Sequence, residues 1–206
     1  MPDELIAHYS TTPSTAVSDA TGGLNNMEPE LKPLREEYRI AGRAVTVKLP
    51  GGDNPAMLRA MRTASPGDVL VVDAKGDLTK AVAGDFVVGM MQTLGIAGLV
   101  VDGAIRDVRD IKALRFPVFA RGTTIAASSK TGAGEVNVPI SCGGVTVRPG
   151  DLIIGDADGV TVVPREQEQE VLQKALSKLE KDEAREREVA GDIDAVRRYL
   201  DKVSSK

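Results

Sequence analysis

Residues 84–110 read GDFVVGMMQTLGIAGLVVDGAIRDVRD, and the change of periodicity within this stretch decides the class of fold. Its first half places Asp85 in a first turn. Phe86, Val87, Met90, Met91 and Leu94 then follow at steps of three and four, the spacing of a short helix that stops at Gly95. Residues 97–101 form a brief apolar run of strand type, and Asp102-Gly103 directly behind it is a turn signal. The expectation is therefore helix, buried strand and then a loop carrying Ala104-Ile105-Arg106-Asp107, after which Val108, Ile111 and Leu114 restart helical spacing. Arg106 and Asp107 stand at a strand-to-helix junction, where unpaired backbone N–H groups and the helix dipole favour anions.

The flanking sequence supplies the rest of a mixed α/β chain. Residues 38–49 have period-two stretches of a strand ending at Pro50-Gly51-Gly52, and Asp53 or Asn54 opens a helix through Met57, Leu58 and Met61. Residues 69–73, VLVVD, are an apolar run typical of a strand covered on both faces, and turn residues from Ala74 to Lys80 lead back to Gly84. Residues 116–122 read as another strand with Pro117 near its start. The loop SSKTGAGEVN follows, its glycines predicting mobility or close approach to a neighbour. Residues 138–140, 145–147, 152–155 and 160–163 are short strands at hairpin spacing, and from Pro164 the composition turns to a charged amphipathic helix over about 165–190. Near the start, Ser18 and Asp19 serve to cap or turn the chain before Gly22-Gly23.

Composition narrows the function. The 206 residues suffice for one domain, 1–206, with an adequate core. Lysine and arginine number 26 against 30 aspartates and glutamates, a formal charge of −4 with no basic block, so nucleic acid is not expected as a partner. The single cysteine, Cys142, forms no internal disulfide and fits a reducing compartment. No apolar run is long enough to span a bilayer and the N-terminus lacks a leader pattern, so the expectation is a cytoplasmic protein without a membrane partner. His8 is the only histidine and lies in an unpatterned segment, which argues against a nucleophile–histidine relay and, with one cysteine, against a zinc site. Neither a P-loop nor a strand followed by GxGxxG is present.

What remains is a hard-cation site of carboxylates and water. A magnesium-like ion takes one or two protein carboxylates, which suits Asp107 and Asp85, and Arg106 beside it offers a fork for a substrate carboxylate. An ion and a guanidinium side by side describe a site for a 2-oxo acid. The alternative is that Asp102 caps a turn, Asp107 caps a helix and Arg106 pairs with a surface acid.

Asp85, residues 86–105 and then Arg106-Asp107 resemble the pattern of the 4-hydroxy-4-methyl-2-oxoglutarate aldolases and their relatives named after the regulator of ribonuclease activity A. STAVSDATGG (14–23), GRAVTV (42–47), PGDVLVVD (66–73), VVDGAIRD (100–107) and the run 137–164 are similar too, so the resemblance extends from about Ser14 to Arg187. It implies a three-layer β/β/α domain of the swivelling type with a C-terminal helix at a subunit interface, in homotrimers or homohexamers. It also implies a metal-dependent lyase using magnesium or manganese, in which Asp107 is the metal ligand, Arg106 binds the 2-oxo acid, and Asp85 holds the metal's water. Gly84 and the N–H groups of Val87 and Val88 are the implied substrate contacts. An acid from a neighbour's C-terminal helix completes the site, with Glu183 preferred over Glu180 and Glu186. The implied reaction is retro-aldol cleavage releasing pyruvate, with oxaloacetate decarboxylation as a side activity. The competing expectations are a lysine Schiff base on Lys75 or Lys80, and a non-catalytic protein that binds and inhibits ribonuclease E.

Overall fold

In the structure, a computed structural model describing residues 4–204, the apolar runs pair as the central parallel strands of one nine-stranded sheet. The chain opens with helices α1 (Glu4–Thr11) and α2 (Ser14–Ala20). It continues through β1 (Lys32–Pro33), β2 (Ile40–Lys48), α3 (Pro55–Met61), β3 (Val69–Asp73), β4 (Ala81–Ala83), α4 (Asp85–Thr93), β5 (Gly98–Ile105), α5 (Val108–Leu114) and β6 (Val118–Thr123). Next come β7 (Glu135–Val136), β8 (Ile140–Cys142), β9 (Val145–Val147), β10 (Leu152–Asp156) and β11 (Gly159–Val163), and finally α6 (Glu168–Val189) and α7 (Ile193–Ser204).

Strands β2, β3, β5 and β6 are parallel neighbours, and β10, β11 and β1 extend the sheet in antiparallel sense to the order β1-β6-β5-β3-β2-β10-β11. Residues 25–27 then hydrogen-bond to β11 and Lys32 Nζ donates to the Asp158 carbonyl, so the two edges nearly close on each other. Side chains on the central strands point alternately to the two faces. Leu70, Val72, Leu99 and Val101 pack under α3, α4 and α5. Val69, Val71, Val100 and Phe119 face inward against Ile153, Val160 and Val162 and against the β8–β9 hairpin. Helices, parallel sheet and antiparallel strands are the three expected layers. Because both faces are covered, β3 and β5 are buried along their whole length and apolar except at Asp73 and Asp102.

Several elements differ from the sequence reading. The strand in the opening stretch does not end at Asp102 but runs to Ile105, with a shift of register against β6 between Val101 and Ala104. Asp102 is not a turn cap. It accepts from Arg121 Nε at 2.6 Å and from the Gly143 amide at 2.8 Å, tying β5, β6 and the β8–β9 turn together. β4 falls between the expected turn at 74–80 and Gly84, β7 lies within the expected loop, and the second C-terminal helix α7 lies beyond the expected 165–190 helix. His8 sits within α1 rather than in an unpatterned segment. Short elements of two or three residues carry no periodicity of their own, so only pairing with a neighbour defines them.

Asp102 is buried and Arg121 nearly so, and Arg121 also pairs with Glu28, whereas Asp102 has no second cation among the described residues. Removing the arginine strands the buried carboxylate. Arg121→Ala should cost about 3 kcal/mol or more in urea denaturation, and Asp102→Ala clearly less. Equal losses would contradict this account of the pair.

Candidate active site

Parallel pairing places Ala81 beside Ala104 and Ala83 beside Ile105, so β4 and β5 end together at one edge of the sheet. The next residues, Gly84-Asp85 and Arg106-Asp107, are thereby brought together although twenty residues of chain separate Asp85 from Arg106. The Arg106 amide donates to the Ala83 carbonyl at 3.0 Å and locks the two exits to each other. A Cβ at position 84 would stand 2.2 Å from Asp107 Oδ2, so only glycine admits the carboxylate. Asp107 adopts a left-handed conformation (φ 57°, ψ 38°) at the entry to α5 and makes no side-chain cap hydrogen bond. The backbone turn therefore turns the carboxylate away from its own helix and against Gly84. Arg106 Nε lies 3.3 Å from Asp107 Oδ2.

These residues line a cavity of about 220 Å3 together with Phe86, Val87, Asn54 and a segment carrying Ala127, Ser128 and Lys130. Asp85 is exposed, with no hydrogen-bond or ion-pair partner for its carboxylate among the described residues. In the first turn of α4 the N–H groups of Asp85, Phe86 and Val87 have no carbonyl to bond within the helix, and no side chain caps them. The Val88 N–H differs from expectation: it donates to the Gly84 carbonyl at 3.1 Å, and Val88 is fully buried. The amides left free in this turn are thus those of Asp85, Phe86 and Val87.

The wall opposite was not anticipated. Asn54 is buried and donates to the Val82 carbonyl, while its Oδ1 has no partner among the described residues. A buried acceptor left open at the edge of a cavity is a ready contact for a ligand hydroxyl or a hydrated ion. Asp53 accepts from the Thr131 hydroxyl, the Thr131 amide and the Gly132 amide, and so anchors the segment that carries Lys130. The only sequence signal was two adjacent capping residues, Asp53 and Asn54, where a helix needs one. Burial alone would raise the Asp53 carboxyl, but the bonds from Thr131, Asn54 and Gly132 outweigh it and hold it below the usual carboxylate range.

Other expected participants lie elsewhere. Lys75 pairs with Asp73 at 2.6 Å and Lys80 with Ser129 at 2.7 Å, and neither lines the cavity, whereas Lys130 does. Glu180, Glu183 and Glu186 are exposed on α6 and do not reach the cavity within one chain. Cys142 is buried, which pushes its thiol well up and leaves it a poor nucleophile. A larger groove of about 670 Å3 between α3 and α4, lined by Leu58, Met61, Phe86, Met90 and Leu94, has no converging polar groups beyond Arg62 and Thr93.

The donor set suits a hard cation. No cluster of three histidine, cysteine, aspartate or glutamate side chains occurs among the described residues, so no all-protein cage exists. One uncapped carboxylate, a second within the same cavity and an open amide oxygen are donors of the type a hard divalent cation accepts when water fills its remaining positions.

Comparison with known proteins settles the family. The profile of the RraA-like family, described as Aldolase/RraA, matches residues 14–162. The chain belongs to the Aldolase/RraA family. A protein of Halalkalibacterium halodurans, provisionally named 4-hydroxy-4-methyl-2-oxoglutarate aldolase, is 61% identical over 200 residues, spanning 97% of this chain and 95% of the relative. Streptomyces coelicolor RraAS2, described as an unusual member of the RNase ES inhibitor RraA family, superposes with a TM-score of 0.79 at 30% identity, over 88% of this chain and 96% of its own. The RNA-processing inhibitor RraA of Thermus thermophilis gives 0.67 at 32% identity, over 74% and 92%.

A depressed Asp53 pKa means that its contribution is present above the unfolded value, near pH 4, and is lost as pH falls through the lower folded value. The Thr131 and Gly132 amide resonances should titrate together below the ordinary carboxylate range. Asp53→Asn should abolish that transition, and a midpoint at or above about pH 4 would refute the assignment.

Proposed function

We propose that this chain is a divalent-metal-dependent aldolase that cleaves 4-hydroxy-4-methyl-2-oxoglutarate, or a related 4-hydroxy-2-oxo acid, to pyruvate. The observation that carries the reading is the packing of Asp107 against Gly84, beside Arg106, in a cavity sized for a short 2-oxo acid. The name of the relative at 61% identity supports it.

In this reading Asp107 would hold magnesium or manganese, with Asp85 and the unpaired Asn54 Oδ1 as further oxygen donors in the same cavity. The ion supplies Lewis acidity to the 2-keto oxygen. Arg106 binds beside that oxygen and the adjoining carboxylate, and the Phe86 and Val87 amides receive the carboxylate at the positive end of α4. Asp85 draws the proton from the C4 hydroxyl through water, and the C3–C4 bond breaks as the C4 carbonyl forms. The electron pair passes to the 2-keto oxygen as pyruvate enolate, whose charge Arg106 faces, and protonation at C3 releases pyruvate. Decarboxylation of oxaloacetate leaves the same enolate and is the expected side reaction. Lys130 contributes positive charge to the same cavity.

Assembly completes the site in this proposal. Helix α7 exposes Ile193, Val196, Leu200 and Val203 along one stripe, an apolar face fitted to a subunit contact. In a homotrimer or homohexamer, α6 of a neighbouring copy would bring Glu183, or its rivals Glu180 and Glu186, to the water shell. The likeness to RraA proteins favours one further reading, a ribonuclease E inhibitor acting by binding alone.

Purified protein should release pyruvate from 4-hydroxy-4-methyl-2-oxoglutarate and from oxaloacetate only with magnesium or manganese. Asp107→Ala and Arg106→Ala should each lower kcat/KM by about 100-fold or more. Activity that survives EDTA and is trapped by borohydride would instead identify a lysine Schiff base. Absence of both reactions, together with inhibition of ribonuclease E, would replace the enzyme with the binding protein.

A further inference from the structure

At the other end of the parallel strands, a second cavity of about 500 Å3 opens where the chain enters β2 and β6. Arg35, Tyr38 and Arg39 line it just before β2, and Arg115 lines it just before β6. We propose that this cavity is a binding site for a small, multiply charged oxyanion, a phosphate or a compact polycarboxylate, held by Arg115, Arg35 and the Tyr38 hydroxyl.

The Tyr38 side chain is 5% exposed, and its hydroxyl has no hydrogen-bond partner among the described residues. Arg35 lies close by without reaching hydrogen-bonding geometry to it. Buried tyrosine hydroxyls ordinarily find a partner, because an unmet one costs on the order of 1–3 kcal/mol that phenylalanine would avoid. An unpaired donor on a residue that lines a cavity is therefore an unfilled half of an interaction.

Arg115 is the second, independent observation. It ends α5 in the left-handed conformation (φ 54°, ψ 28°), a position where glycine or asparagine is the comfortable choice. Its guanidinium makes no hydrogen bond or ion pair among the described residues, although its positive field acts on Tyr38. An arginine held in a strained backbone and left without a protein acceptor supplies charge to the cavity rather than to the fold.

The remaining groups set the balance of charge. Arg35 Nε pairs with Glu37 at 2.8 Å, and its Nη1 donates to the Lys112 carbonyl. Arg39 donates to the Thr12 carbonyl, with Asp156 4.0 Å away. Among the lining residues three guanidinium groups face one carboxylate, Glu37, so the cavity is positive in a chain whose overall charge is −4. A concave positive site on an acidic protein fits a compact anion and not an extended nucleic acid, which needs a basic stripe. The several fixed guanidinium donors and the hydroxyl match the multiple oxygens of a phosphate or polycarboxylate better than a single carboxylate.

The test is anion binding by the full chain, measured by calorimetry and thermal melting in a phosphate-free buffer of constant ionic strength. The probes are orthophosphate and citrate, with sodium chloride as the control. One or both oxyanions should raise the melting temperature, and the tighter of the two identifies the chemistry. Arg115→Gly, which suits the left-handed backbone and so keeps the fold, should weaken binding at least about tenfold. Tyr38→Phe should weaken it by a smaller factor, and Arg106→Ala should bind as wild type. Pyruvate release by Arg115→Gly without added anion should match wild type, which separates this site from the proposed lyase chemistry. Wild-type affinity in Arg115→Gly, a response reproduced by chloride, or loss of the response in Arg106→Ala would each overturn the proposal.

Discussion

Ala81 and Ala83 run parallel to Ala104 and Ile105, so two chain segments leave the sheet side by side, in the same direction and at the same edge. Everything in the candidate site depends on that short pairing. It delivers the start of α4 and the start of α5 to one place, and with them a set of unpaired amides, a guanidinium and two carboxylates. Gly84 lets the backbones close until Asp107 Oδ2 occupies the space where any other residue would carry its Cβ. The left-handed turn at Asp107 is the companion constraint, since a carboxylate that capped α5 in the usual way would not lie against Gly84.

The acids of this chain divide by whether the protein answers their charge. Asp73 is met by Lys75, Asp102 by Arg121 and a backbone amide, Asp53 by Thr131 and Gly132, Asp151 by the amides of Arg148 and Arg165, and Glu168 by Arg43. All five are buried and serve the fold. Asp85 has no partner among the described residues, and Asp107 has only the arginine beside it. An acid that the structure positions through glycine and backbone strain, yet does not neutralise, is arranged for a charge from outside.

How much of this was readable follows from which residues carry a periodic signal. The runs at 69–73 and 97–101 and the spacing of Phe86 to Leu94 announced the buried strands and α4, because burial on both faces or on one stripe leaves its mark on composition. Asp85, Arg106 and Asp107 were legible as a set through the family resemblance that their spacing carries; that they meet rests on β4, three residues long and invisible as a strand in isolation. Asp102-Gly103 misled for a physical reason: a turn-favouring pair inside a strand is tolerated where a register shift bends it and a buried arginine answers the aspartate. Asn54 was legible only as a candidate helix cap and Lys130 not at all, since a cavity wall built from three distant segments has no spacing to read.

That wall also bears on what the cavity can hold. Asp53 anchors the Thr131–Gly132 turn, Lys80 bonds Ser129, and the Ser129 amide donates to the Gly52 carbonyl, so the segment opposite Arg106 is fastened at several points. At about 220 Å3 the cavity falls below the usual range of roughly 300–1,000 Å3 for drug-sized ligands. That volume suits a short acid, and Phe86, which is 75% exposed, lines both this cavity and the neighbouring apolar groove. Arg106 and Lys130 line the cavity as well, so any occupant meets two cations of this chain together with the exposed ring of Phe86, a combination that favours a short anion with an apolar part.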